Sequence, residues 1–396
     1  MIDFLKHNSF FLSKKFHALI FSKSIFGYSV HIRVLLFSWL AYEITQKDIW
    51  VGIVLGIGGS QIIFSTLIGS YLSEKYNINK ILFISYLSFL IILFLLIFID
   101  YEEIYVLLFL SVILGMIPGL SAPAFQTLLV NTNDKLNFSK INSYQYLVIF
   151  FGEMVNPIIF AYLISRLNID FVIFFASALL FLSLILVYFH PVDSQEKRKS
   201  KSNKFISYKS IFQNKPVIFW GVIIAAGQNI FGVTFFVLLP KYANQLGIGA
   251  SGFGIMNAAL GAGLFFGSFS SMFSGIYKSR LLVWILCTIV WDIGQVLVIF
   301  SENYIFSLFC LFFMGFSGAY WMVTSTLIFQ DQTEKYDRNK IMGLYSLVIS
   351  LFFIGWLFGG VISELTNPKI AIVISALSSY PIFLIAIKSS KKLRQV

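Results

Sequence analysis

The sequence predicts an all-α membrane protein, with twelve transmembrane helices in two six-helix bundles. Three observations carry that prediction. First, 58% of the 396 residues are hydrophobic and 12% are charged, against about a quarter charged in soluble domains, and the mean hydropathy is +0.84. Second, apolar runs of roughly 20 residues, the length that crosses a bilayer as a helix, recur along the chain with charges between them. Third, the halves echo each other at an offset near 200: TLLVNTNDKLNFSKI (127–141) corresponds to TLIFQDQTEKYDRNKI (326–341), and GSYLSEKY (69–76) more loosely to SSMFSGIY (270–277).

The elements follow in order. A cytoplasmic tail (1–16) leads into the first span, 17–42, which is long and continuous with the pattern, so it reads as a retained helix rather than a cleaved signal peptide. The second span covers 48–73. The third, 80–100, runs from Lys80 to Asp100, and the fourth, 103–129, contains Pro118 and Pro123. The fifth covers 140–166, and the sixth, 169–189, ends before His190. These six form the first bundle, 17–189. A polar, lysine-rich linker (190–214) has nothing from which to build a core and reads as a tether beside anionic headgroups. The second bundle, 215–388, contains spans at 215–241, 250–275, 280–300, 303–329, 339–364 and 367–388, followed by a tail at 389–396. Duplicated bundles around a central site are the architecture of a rocking transporter.

Charge orients the array. The net charge is +11, yet the cations lie in short loops, which points to a positive cytoplasmic membrane face rather than to nucleic acid. Of 29 Lys and Arg residues, Lys47, Arg166, Lys241 and Lys369 fall on one side and Arg33 inside a span, leaving 24 for the other side. Both termini are therefore expected in the cytoplasm; separately, the chain is expected in a bacterial inner membrane, as a monomer. Cys287 and Cys310 lie inside apolar runs as small hydrophobes. The four histidines (7, 17, 31, 190) are scattered. With no phosphate loop, metal-ligand spacing or nucleophile elbow, neither cofactor, metal nor enzymatic activity is expected.

The loop GSYLSEKYNINK (69–80) resembles the signature loop of the major facilitator superfamily, with Gly69, Glu74, Lys75 and Lys80 in the pattern and the usual arginine run thinned to lysines. The opening FHALIFSKSIFGYSVHIRVLLFSWLAYEITQKDIWVGIV (16–54) is similar to the drug-efflux and enterobactin-exporter branch, with Tyr42, Thr45, Val51 and Gly52 in place. GMIPGLSAPAFQTLL (115–129) resembles that branch's fourth helix, including Pro123 and Ala124. FFGEMVNPIIFAYL (150–163) resembles its fifth, with Glu153 where an arginine is common and Asn156 next to Pro157. The resemblance implies the major facilitator fold, a gating role for the 69–80 loop, and adjacency of the first and fifth helices.

Ionisable groups deep in the bilayer are costly and mark function by default. Four are expected there: His31, Arg33, Glu153 and Asp292. At 1.5 Å per residue, Arg33 and Glu153 lie roughly 24 and 20 Å from the cytoplasmic helix starts, so an ion pair between adjacent helices is expected. It would act either as a proton-coupling pair or as a static lock. His31 and Arg33, two positions apart, point about 200° apart; His31 is expected to face the cavity, as a proton relay or a hydrogen-bonded wall. Asp292 reads as a structural hydrogen-bonding group or a transport residue. The cavity is expected near the midplane between the first, fourth, seventh and tenth helices, with candidates Tyr28, Ser38, Ser121, Gln228, Asn229, Phe231, Ser317, Tyr320, Trp321 and Thr324. Amides among aromatics suit a small amphipathic organic molecule. The reading is a secondary-active exporter of a drug-like or siderophore-type compound by proton antiport, in contact with lipid, substrate and protons. A proton-coupled importer is the alternative, and a lipid-moving or non-transporting protein the reading from another class.

Overall fold

The computed structural model describes residues 14–99, 103–131, 138–191, 208–271, 280–332 and 338–389. Among the described residues, twelve segments are long and apolar enough to cross a membrane, and no strand is present. In chain order they begin with α1 (Lys14–Thr45), α2 (Asp48–Lys75), and α3 (Ile78–Leu95) with a 3-10 turn at Leu96–Phe98. Then come α4 (Ile104–Asn131), α5 (Phe138–Arg166) and α6 (Ile169–Phe189). A short α7 (Tyr208–Asn214) precedes the seventh span, formed by α8 (Pro216–Phe231) and α9 (Phe235–Gln245). Next are α10 (Gly249–Ser271), α11 (Arg280–Phe300) and α12 (Tyr304–Asp331). The eleventh span is α13 (Arg338–Ile349) plus α14 (Phe352–Leu365), and α15 (Pro368–Ser389) is the twelfth. The duplication is visible in the bounds: α4 and α12 start at 104 and 304, α5 and α13 at 138 and 338.

Two differences from the sequence reading stand out. The seventh and eleventh spans, expected as unbroken helices, are each interrupted, at 232–234 and 350–351. At the first break Gly232 caps α8, its N–H donating to the Gln228 carbonyl. The expected linker also carries helix α7 over its last residues, while 192–207 and both chain tails (1–13 and 390–396) lie outside the described residues.

Short polar turns set where spans begin. Asn77, Asn168 and Asn303 each accept from a backbone N–H in the first turn of the helix that follows, at 3.0–3.4 Å, and Asn367 does so from Ile370 at 2.9 Å. Asparagine suits this N-terminal position because its side-chain oxygen satisfies an N–H that has no helical partner. An even number of spans puts both ends of the array on one side, called here the termini side, opposite the far side.

Inside the bilayer there is no water for a hydrophobic drive, so helices associate through close packing and hydrogen bonds. The first half shows both: α1 joins α6 through Ser183 donating to the Ser22 carbonyl at 2.8 Å and Ser29 to the Ala176 carbonyl at 2.9 Å. The halves meet along two crossings, α2 on α14 and α5 on α10. A Cβ added at Gly52 would lie 2.7 Å from the Trp356 carbonyl oxygen and 3.2 Å from the Gly360 Cα, so only glycine fits there. At the second crossing a side chain on Gly261 would run into the Glu153 backbone.

Candidate functional site

Two adjoining cavities of about 240 and 300 Å³ lie between the halves and share Glu153, Phe236, Leu264, Phe352 and Trp356 as walls. The first is completed mainly by α1 and α10 (His31, Ser38, Phe253, Asn257), the second by α8, α11 and α12 (Gln228, Asn229, Trp291, Trp321). The break after α8 shapes the second cavity, since Gly232 and Val233 line it and Phe236 follows. The walls are aromatic with a few amides. Among the described lining residues, Glu153 is the one carboxylate.

Glu153 owes its place to the crossing of α5 on α10. Gly152 packs under the Tyr28 ring and the Tyr28 hydroxyl donates to the Val148 carbonyl, which fixes α5 against α1. His31 is three positions after Tyr28, about 60° around the helix, and it lines the same cavity as Glu153 with its Nδ1 buried and unpartnered.

Arg33 does not meet Glu153. It is 5% exposed, donates to the Ser111 hydroxyl on α4 at 3.5 Å, and lies 5.6 Å from the Phe37 ring. Among the described residues it forms no ion pair, and its Nε has no partner. The expected pair rested on equal depth, but contact depends on azimuth. Arg33 stands five residues beyond Tyr28, about 140° around α1, so it faces α4 while Tyr28 faces α5. A further intramembrane cation went unremarked in the sequence: Lys23, whose Nζ lies 5.1 Å from the Phe26 ring and 5.8 Å from Phe125.

The other expected wall residues divide. Ser38, Gln228, Asn229 and Trp321 line a cavity. Tyr28, Ser121, Phe231, Ser317, Tyr320 and Thr324 line neither of the two. Ser121 and Ser317 donate back to the carbonyls of Pro118 and Met314, Phe231 packs edge-on to Phe358, and the Tyr320 hydroxyl meets Ser270 at 2.9 Å. Thr324 is fully buried. Among the described residues the fourth helix contributes no wall to these two cavities, whereas α10, Phe236 and Phe352 do.

Two charge pairs also escaped the sequence. On the far side Lys241 of α9 lies 3.0 Å from the Asp48 carboxylate of α2, which also accepts from Ser363 of α14 at 2.6 Å. Asp48 is 1% exposed, so this pair ties the two halves together under cover. On the termini side Arg280 pairs with Asp331. In the loop motif Gly69 packs against the backbone of Leu120, and Lys75 donates to the Tyr71 hydroxyl of its own helix. Glu74 forms no ion pair among the described residues. Arg280 follows the 270–277 segment that echoes the motif in the second half.

The sequence over residues 18–281, two thirds of the chain, matches the family model described as Major Facilitator Superfamily. The chain belongs to that superfamily. Solved structures with the same fold include a D-xylose–proton symporter (TM-score 0.76, 13% identity, covering 96% of this chain and 98% of that one). A bacterial homologue of the human lysosomal transporter Spinster, in an inward-facing and occupied conformation, matches with a TM-score of 0.75 at 10% identity over 96% and 97%. The nucleoside transporter NupG matches at 0.70 and 13% over 96% and 100%. At these identities the likeness is one of fold. No curated protein matches the sequence.

Proposed function

We propose that this superfamily member is a secondary-active transporter that exports a small amphipathic organic compound, drug-like or siderophore-type, in exchange for protons. The observation that carries the reading is the placement of Glu153: one carboxylate on the shared wall of two aromatic cavities between the halves. A carboxylate in such a wall can hold a proton or a positively polarised substrate in turn, and that exclusivity couples the two fluxes. His31 in the same wall supplies a second hydrogen-bonding or proton-relaying group. The substrate lies among Trp356, Phe236 and Phe352, with Gln228, Asn229 and Asn257 to orient it.

The halves rock about their two crossings. With the termini in the cytoplasm of a bacterial inner membrane, as the loop cations indicate, the Asp48–Lys241–Ser363 cluster closes the outer side. The 69–80 loop, through Gly69 packed on Leu120, and the Arg280–Asp331 pair brace the helices on the cytoplasmic side. The cycle asks nothing of Arg33, which braces α1 on α4. Import by proton symport is the second reading, favoured by the resemblance of the fold to a D-xylose–proton symporter.

The test uses proteoliposomes loaded with a pH-sensitive dye, ethidium as the amphipathic probe, and an imposed proton gradient. Wild-type protein is expected to move ethidium against its gradient and to release protons as it does so. Glu153→Gln is expected to bind ethidium but to lose gradient-driven movement. Undiminished gradient-driven transport by the variant overturns the coupling role. Ethidium moving with the proton flux rather than against it replaces export with import.

A further inference from the structure

Away from both the Glu153 wall and the Asp48 pair lies a third buried acid. Asp292 of α11 is 1% exposed. Its Oδ1 accepts from Gln295 Nε2 at 3.0 Å and from Gln228 Nε2 at 3.4 Å, and its Oδ2 from the Ser379 hydroxyl at 3.0 Å. Donors thus arrive from α8, α11 and α15, and no Lys, Arg or His forms an ion pair with it among the described residues. Every donor is neutral, so the carboxylate's charge has no counter-charge at contact distance.

The two glutamines carry a second, independent signal. In each, the nitrogen donates to Asp292 while the oxygen of the same amide, Gln228 Oε1 and Gln295 Oε1, is buried with no partner. Buried polar atoms are nearly always satisfied, and orphans call for a specific occupant. The count discriminates between occupants. A proton on Asp292 creates one O–H donor and can satisfy one of the two orphaned oxygens. Both oxygens point away from Asp292 because the amide nitrogens face it; a cation seated among them takes both once the two amides rotate, which withdraws their N–H donors from Oδ1 and puts the cation's charge in their place. Hard oxygen ligands of this kind suit alkali and alkaline-earth ions. With a single carboxylate, a monovalent ion leaves the buried cluster neutral and a divalent one leaves it charged, which the low-dielectric interior opposes.

The backbone adds to this. Gln228 sits in the last turn of α8, just before the break at 232–234, and the carbonyl end of a helix carries partial negative charge that favours cations. Interrupted spans are where transporters place coupling ions.

We infer that Asp292, Gln228, Gln295 and Ser379 form a binding site for a sodium-sized monovalent cation, distinct from the Glu153 cavity and joined to it by Gln228. Gln228 belongs to both, because it donates to Asp292 and lines the second cavity. Occupancy of the cluster therefore turns a side chain of the cavity wall. The site does not depend on the coupling role of Glu153 or on the direction of transport.

The experiment is thermal unfolding of the purified full-length protein in detergent, at fixed ionic strength and repeated at several pH values, with NaCl exchanged stepwise for choline chloride and parallel arms in LiCl and KCl. The wild-type midpoint is expected to rise saturably with sodium and to stay flat in choline. Asp292→Asn is expected to abolish the rise. Ser379→Ala, which keeps the carboxylate and removes one neutral ligand, guards against a variant that fails to fold; it is expected to raise the half-saturating sodium concentration about tenfold. Equal midpoints in sodium and choline for the wild type overturn the site, as does a sodium effect that survives Asp292→Asn. A midpoint that responds to pH but to none of the cations assigns the cluster to a proton and overturns the cation reading.

Discussion

Replacing Asp48 with asparagine isolates the electrostatic part of the far-side closure. The side chain keeps its size, and its amide oxygen still accepts from Ser363, so the change removes one charge and the contact with Lys241. Truncating one partner of a fully buried pair costs about 3–5 kcal/mol because the other charge is stranded. Here the Lys241 side chain is 26% exposed and recovers water when released, which places the loss nearer the 1.5–3 kcal/mol of a hydrogen bond to a charged group. Asp48 Oδ1 is buried without a partner, so the native carboxylate is itself incompletely satisfied and the lower end applies. About 1.5–2 kcal/mol is a shift of about 10–30-fold in the closed-to-open equilibrium of the far ends. The assay is pulsed electron spin distance measurement between labels at Lys47 and Gln245, exposed residues on either side of the junction, with buried Cys287 and Cys310 replaced. Wild type is expected to give one short distance, and Asp48→Asn to add a longer population. A distribution unchanged by the substitution refutes the reasoning, since the pair would then hold nothing closed.

Three further outcomes follow from the same geometry. Gly52→Leu drives a side chain into the backbone of Trp356 and Gly360, atoms that cannot swing aside, so the Lys47–Gln245 distance is expected to lengthen more than in Asp48→Asn. Arg33→Met replaces a poorly partnered buried cation with an apolar chain of similar length; the thermal midpoint is expected to hold or rise and gradient-driven ethidium transport to persist, and a folded variant without that transport would return Arg33 to the coupling machinery. Trp356→Ala removes a wall common to both cavities, and equilibrium binding of ethidium is expected to weaken about 10–100-fold, the equivalent of about 1.5–3 kcal/mol of lost apolar contact.

Span positions were legible because bilayer thickness imposes a length on every apolar run, and the offset of 200 was legible because α4 with α12 and α5 with α13 begin in register. Azimuth was not. Phenylalanine occurs 45 times in this chain and serves lipid, packing and cavity alike, so no pattern separated Phe231, which packs on Phe358, from Phe236, which walls both cavities. Depth placed Arg33 level with Glu153, but only the packing of Tyr28 on Gly152 shows that α1 turns a different face to α5. Asp48 was hidden for another reason. An acidic residue in a helix's first turn is an ordinary partner of the helix dipole, and nothing local announces that Lys241, 193 positions on, covers it. The break at 232–234 was masked by apolar neighbours, and with it the polar surroundings of Asp292.

The two acids at the junction between halves sit at different crossings, Glu153 where α5 meets α10 and Asp48 where α2 meets α14, and each location suits a different part of the rocking cycle proposed above. The Glu153 backbone abuts Gly261 where α5 crosses α10, with no side chain between, so the halves can rotate there with little displacement. Arg166, at the far end of α5, is 13 residues on, about 20 Å at 1.5 Å per residue, and rotation that barely moves the crossing separates groups at that distance by several ångströms. A group at the pivot keeps its place on the cavity wall in every conformation, so it can exchange a proton with whichever side is open. Asp48 sits at the other crossing, where its backbone carbonyl abuts Gly360 four residues before Gly52, and its carboxylate, held by Lys241 and Ser363, ties α2 to α9 and α14 at the far-side edge of that crossing. In the cycle proposed above, the acid at the α5–α10 crossing exchanges the proton and the pair at the far-side edge of the α2–α14 crossing is the latch, so one crossing carries the charge and the other holds the closure.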